Sequence, residues 1–121
     1  MKNKKIRTHK DLLIWQRSIA LVTRIYRITD AFPSSEKFGL TNQMRRAAVS
    51  IPSNIAEGSG RRHPKELIQF LYIAIGSCSE LETQTIIAKN LGFIDEEICS
   101  EIVGELHELI LMTSSLISKL A

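Results

Sequence analysis

Four stretches of the chain repeat their apolar residues at steps of three and four, and turn chemistry closes each of them, a pattern no β-strand can use. The first covers about residues 11–30, with Leu12, Trp15, Ile19, Val22 and Tyr26 on one stripe and Asp11 placed to cap or favour the opening turn. Phe32-Pro33-Ser34-Ser35 ends it. A second stretch starts near Glu36, after a serine able to act as N-cap, and carries Leu40, Met44, Ala47/Ala48, Ile51 and Ile55 to about Glu57. Gly58-Ser59-Gly60 follows, where glycine permits a left-handed C-terminal residue. The third opens at Pro64, whose missing N–H would be unpaired in a first turn anyway, and runs through Leu67, Phe70/Leu71, Ala74, Cys78 and Leu81 toward Gly92. Asp95 starts the fourth, with Glu96 and Glu97 complementing the helix dipole, a ladder of Ile98, Ile102, Leu106, Leu109, Leu116 and Leu120, and Lys119 in its final turn.

Short links between helices of this length force neighbours to run antiparallel. The expected fold is therefore all-α, an antiparallel up-down four-helix bundle with a proline-kinked second helix. With 121 residues the chain suits one domain, residues 11–121, preceded by a basic arm at 1–10 that holds Lys2, Lys4, Lys5, Arg7 and Lys10. The Val49-Ser50-Ile51 patch is too short to outvote the helical period around it.

Three helices carry more apolar residues than one core stripe needs. Helix one adds Ile14, Leu21, Ile25 and Ile28; helix three adds Ile68, Tyr72, Ile75 and Ile86; helix four adds Val103, Ile110 and Ile117. A bundle helix shows water a polar face over roughly half its circumference, so the surplus points to contacts between copies. The competing explanation is a broad core stripe with ordinary exposed apolar residues.

A net charge of +3 conceals two opposite halves. Residues 1–62 hold thirteen Lys/Arg against four acids, a net +9, whereas residues 63–121 hold three against nine, a net −6. Such halves either attract each other, within or between subunits, or turn the basic half to a polyanion. Arg17, Arg24 and Arg27 fall within about a quarter-turn of one another on helix one.

Most catalytic arrangements are missing from the sequence. No Glu-x-x-His pair, HExxH, P-loop, GxSxG or CxxC occurs, and Cys78 reads as a packed hydrophobe. His63 beside Arg61 and Arg62 reads as a loop histidine near phosphate-capable arginines, and Glu57 as an ion-pair partner. The expectation is a non-enzyme without metal or cofactor. Two cysteines suit a reducing cytoplasm, and the apolar run Leu12–Trp15 is cut short by Gln16 and Arg17, too soon for a signal peptide. No stretch reaches the ~20 apolar residues of a membrane span.

Pro52 breaks the local rules. Inside a helix it removes the N–H that would bond the Ala48 carbonyl, at a cost of ~3 kcal/mol. Arg46, Ser50, Asn54 and Glu57 form a polar ridge opposite the apolar stripe, and a hydroxyl or amide from it could pair with that carbonyl. A bent helix with a solvated ridge is one explanation; a site lined by Arg45 and Arg46 is the other.

The run from Gln43 to Arg61, QMRRAAVSIPSNIAEGSGR, resembles the signature of the bacterial 23S rRNA intervening-sequence proteins. Leu12, Trp15-Gln16, Tyr26, Phe32-Pro33, Glu36 and Phe38-Gly39-Leu40 fit the same pattern upstream, and Phe70, Ala74, Gly76-Ser77 and Glu80-Leu81-Glu82 fit it downstream. Phe38 stands where the family often has tyrosine. The resemblance implies a cytoplasmic four-helix bundle assembled as a homopentameric ring. The accessory protein of diversity-generating retroelements is a similar protein, a basic pentameric barrel that engages a reverse transcriptase and nucleic acid. By that similarity Arg45, Arg46, Arg61 and Arg62 are implied phosphate contacts, with RNA or a nucleic-acid-handling protein as partner. The alternative is a purely structural oligomer in which basic and acidic faces meet.

Overall fold

Local signals fix the helix ends in the computed structural model, which describes residues 8, 9 and 12–121. α1 spans Leu13–Thr29, α2 Leu40–Ser59, α3 Pro64–Asn90 and α4 Glu96–Leu120. The expected basic arm thus lies largely outside the described residues, as does Asp11; the position before α1 is Leu12, whose side chain provides no cap. α2 starts later than the sequence suggests. Ser34–Glu36 form a short 3-10 turn, and Glu36 reaches forward so that its Oε1 accepts the Leu40 N–H at 3.0 Å, the role expected of a serine. Asp95 caps α4 as expected, accepting the Ile98 N–H at 2.8 Å.

The left-handed glycine follows α3 rather than α2. Gly60 has φ −83°, while Gly92 has φ +80°. Around Gly92 the N–H of Phe93 bonds the Ala88 carbonyl and the N–H of Gly92 bonds that of Lys89, both at 2.9 Å, which satisfies carbonyls left open by the end of α3. Phe93 then packs on Phe32 at 5.2 Å between ring centroids and closes that end of the bundle.

Each helix packs on two neighbours, α1 on α2, α2 on α3, α3 on α4 and α4 on α1, and the backbones of diagonal pairs stay apart. Paired residues show the directions: Arg17 meets Glu105 and Glu108 while Arg24 meets Glu101, and Ser50 meets Ser77 while Gly58 lies against Leu67 and Phe70. Every seam is antiparallel, so the described residues form an up-down four-helix bundle. Its core holds Leu21, Ile25, Met44, Ala48, Ile51, Ile55, Leu71, Leu81, Ile102, Leu106 and Leu109, all at most 3% exposed.

Helix one turns its core face partway round from the expected stripe, of which Leu12, Trp15 and Val22 are half-buried against the core. Ile14, Ser18, Leu21, Ile25 and Thr29 face the core, while Ile19 and Tyr26 of the Leu12–Tyr26 stripe are 40% and 42% exposed. Ser18 and Thr29 are tolerated there because each hydroxyl donates to a carbonyl of its own helix, Trp15 at 2.8 Å and Ile25 at 2.7 Å. α2 continues unbroken through Pro52, whose ring is buried.

Candidate nucleic-acid interface

The seven arginines singled out by sequence divide into two groups. Arg17 on α1 reaches α4, where its Nη2 and Nε contact Glu105 Oε1 at 2.9 and 3.1 Å and its Nη1 contacts Glu108 Oε1 at 2.7 Å. The bonds to Glu108 and Glu105 hold the guanidinium charged, and the Glu108 carboxyl is drawn below its ordinary range by the bond from Arg17. One helical stretch along, Arg24 bonds Glu101. The basic and acidic halves of the sequence therefore meet inside one molecule, along the α1–α4 seam.

Arg45 is also occupied. Its Nε donates to Thr29 Oγ1 at 2.8 Å, its Nη2 donates to the Tyr26 carbonyl and to Asp30 Oδ1 at 3.2 and 3.1 Å, and the guanidinium lies 4.6 Å over the Tyr26 ring. It clamps the end of α1 to α2. Arg61 pairs with Glu57 one turn back at 2.9 Å and stacks 4.9 Å from the Phe70 ring. Arg27, Arg46 and Arg62, by contrast, are exposed and have no ion-pair or hydrogen-bond partner among the described residues. Arg46 lines a groove with Tyr26, Asn42, Arg45, Val49 and Ser50.

The polar ridge around Pro52 turns inward at its centre. Asn54 Nδ2 donates to the Ser50 carbonyl at 2.8 Å and to its hydroxyl at 2.9 Å, and Ser50 Oγ lies 2.8 Å from Ser77 Oγ on α3. The amide thus bonds Ser50 and not the Ala48 carbonyl that Pro52 leaves open. Ser50 and Asn54 are half-buried at the α2–α3 seam, whereas Arg46 and Glu57 at the ridge ends face water.

The model of the 23S rRNA-intervening sequence protein family matches residues 10–115. The chain belongs to this family. Among solved structures, a protein of unknown function from the S23 ribosomal protein family of Bacteroides thetaiotaomicron shares 22% identity with this family member. It aligns with a TM-score of 0.78 over 87% of this chain and 98% of its own, a likeness of fold. No curated protein matches the chain.

The Cys78 thiol is pushed up to about 12 by burial, which keeps it protonated and unreactive. No group of three or more metal-capable side chains occurs among the described residues, nor does any helix there have the length and apolarity to cross a membrane. Phe38 is 87% exposed, with the Lys37 ammonium 5.6 Å above its ring.

Sequence reasoning missed one feature of the surface. Trp15, Ile19 and Val22 of α1 and Val49, Ser53 and Ala56 of α2 line an apolar groove floored by Pro52. The signal lies in the Leu12–Tyr26 stripe of helix one, which periodicity alone places in the core.

Proposed function

We propose that this protein is a non-enzymatic, homo-oligomeric scaffold, a ring taken as pentameric from the family likeness, that works in the cytoplasm and presents arginines to RNA or to an RNA-handling protein. The observation that carries this reading is the division of the arginines. Arg17, Arg24, Arg45 and Arg61 are committed to internal ion pairs, and Arg27, Arg46 and Arg62 remain free to meet phosphates. Each partnerless guanidinium offers planar, forked donors suited to a phosphate, and repetition around a ring multiplies them.

Fluorescence anisotropy with single-stranded RNA at two salt concentrations tests it. Binding at low salt should weaken as salt rises, with log K falling by ~0.7 per contacted phosphate for each decade. Substituting Arg27, Arg46 and Arg62 together by Ala should flatten that dependence, whereas Arg24→Ala should leave it unchanged. Absence of binding at the lowest salt rejects direct RNA contact. The internal ion pairs of Arg17, Arg24, Arg45 and Arg61 favour a second reading, a purely structural oligomer, and that result would leave it standing.

A further inference from the structure

The groove between the second half of α1 and the first half of α2 joins an aromatic ring, two guanidiniums and an amide. Tyr26, Asn42, Arg45, Arg46, Val49 and Ser50 line it over a volume of about 510 Å³, and none of them is acidic. We infer that this groove takes one unpaired nucleotide of a single-stranded RNA, its base laid on the Tyr26 ring and edged by Asn42, its phosphate held by Arg46. The inference rests on the RNA-contact part of the proposed function and adds to it the strand form that is recognised and the side chains that recognise it.

The ring is a prepared platform. Three hydrogen bonds tie the Arg45 guanidinium to Thr29, to Asp30 and to the Tyr26 carbonyl, and the guanidinium in turn lies 4.6 Å from the centroid of the Tyr26 ring. Tyr26 nevertheless stays 42% exposed, and Val49 on the same groove 39% exposed. An aromatic side chain held in this way at the surface has given up much of its ordering entropy before a base arrives. Arg45 is thus a positioning residue, which acts through Tyr26.

The free donors stand on α2. Asn42 and Arg46 are exposed, have no side-chain partner among the described residues, and sit one turn apart on the same face of the helix, about 6 Å along its axis. A side-chain amide matches the hydrogen-bonding edge of a base, adenine best of all, and a guanidinium matches phosphate with its planar fork. Ser50 adds no free donor, because its hydroxyl already bonds Asn54 and Ser77. A ligand that answers all these groups carries a negative charge, a flat apolar face and a hydrogen-bonding edge at once, which describes a nucleotide. Paired bases bury their faces in the stack, so only an unpaired one can reach the ring.

Fluorescence anisotropy with labelled oligoadenylate RNA, as a single strand and annealed to oligouridylate, tests this on the purified protein. The single strand should bind more tightly than the duplex. Tyr26→Leu should weaken single-strand binding about ten-fold, the scale of one lost stack, with duplex affinity and salt dependence unchanged, while Tyr26→Phe keeps wild-type affinity. Arg46→Ala should instead lower the salt slope on the single strand by ~0.7. Thermal melts and light scattering show whether each variant keeps its fold and its mass. Should Tyr26→Leu fail to fold, Asn42→Ala, at an exposed position without partners, takes its place and should weaken the single strand about five-fold and leave the duplex alone. A folded Tyr26→Leu that binds the single strand as wild type does, or that weakens strand and duplex alike, overturns the inference while leaving RNA contact in place. So does a wild-type protein with no preference for the single strand. A changed mass in Tyr26→Leu or Asn42→Ala assigns the groove to subunit contact and overturns the inference as well. No binding of either RNA at the lowest salt removes the inference and the RNA reading together.

Discussion

The α2–α3 and α1–α4 seams join helices of similar length by opposite means. At α2–α3 the backbones come close: Gly58 faces Leu67 and Phe70 so tightly that a Cβ there would stand 2.8 Å from Phe70 Cβ, and Ser50 and Ser77 share a hydrogen bond. At α1–α4 the helices touch least, and Arg17 and Arg24 bridge the space to Glu101, Glu105 and Glu108. Small residues let helices exclude water and gain from burial. Long charged residues span a wider, wetter gap, where attraction is screened and side-chain ordering offsets much of it. One seam holds the fold, and the other chiefly disposes of charge.

Gly58→Val should break this contrast most severely. The Phe70 Cβ is tied to its backbone and cannot swing aside, so α2 and α3 must separate, at a cost of about 3 kcal/mol. Urea denaturation at fixed protein concentration measures it; a loss below about 1 kcal/mol would show that the seam yields easily. Arg17→Ala removes four hydrogen bonds to α4, three to carboxylates and one to the Met112 sulfur, yet the expected loss is only about 1 kcal/mol, and most of it should vanish in 1 M salt. A penalty that persists at high salt contradicts the screened picture. Ser77→Ala sharpens the comparison from the other side. It deletes a buried hydroxyl bonded to Ser50, and the expected loss of about 0.5–1 kcal/mol should not change with salt.

These seams also mark how far the sequence could be read. The four helices were legible because turn residues punctuate a steady period, and Pro64 and Asp95 sit where helices begin. The core stripe of α2 was legible because Leu40, Met44, Ala48, Ile51 and Ile55 have no apolar rival on that helix. Helix one offered two stripes. Trp15 and Tyr26 make the outer one look richer, while Ser18 and Thr29 interrupt the inner one, and periodicity carries no information about which stripe finds partners. The opening of α2 was misplaced because a glutamate four residues upstream can satisfy an N–H as a serine would, a geometry that only the folded loop reveals.

For the candidate interface, the sequence identified arginine-rich stretches and the charge split without showing which arginines were already paired. Arg17 and Glu108 lie 91 residues apart, and nothing local joins them. The polar ridge shows the same limit. Its spacing was correct, yet its centre turns to Ser77 on α3 and its ends to water, because a neighbouring helix covers one flank of α2.

Acid should expose the α1–α4 seam with the smallest effect of the series. The Glu108 carboxyl has its folded-state value lowered, first by the hydrogen bond from Arg17 and then by its charge. Its contribution is therefore fully present above the ordinary carboxylate value of 4.5 and is lost as pH falls through the lower folded-state value. Glu108 is well exposed, so the change is slight. Denaturation midpoints from pH 6 to pH 3 should fall for both wild type and Arg17→Ala, with the gap between them narrowing toward acid as the carboxylate partner takes up its proton. A gap of constant width would mean that Arg17 stabilises the seam through the packing of its side-chain stem against α4 and not through its charge.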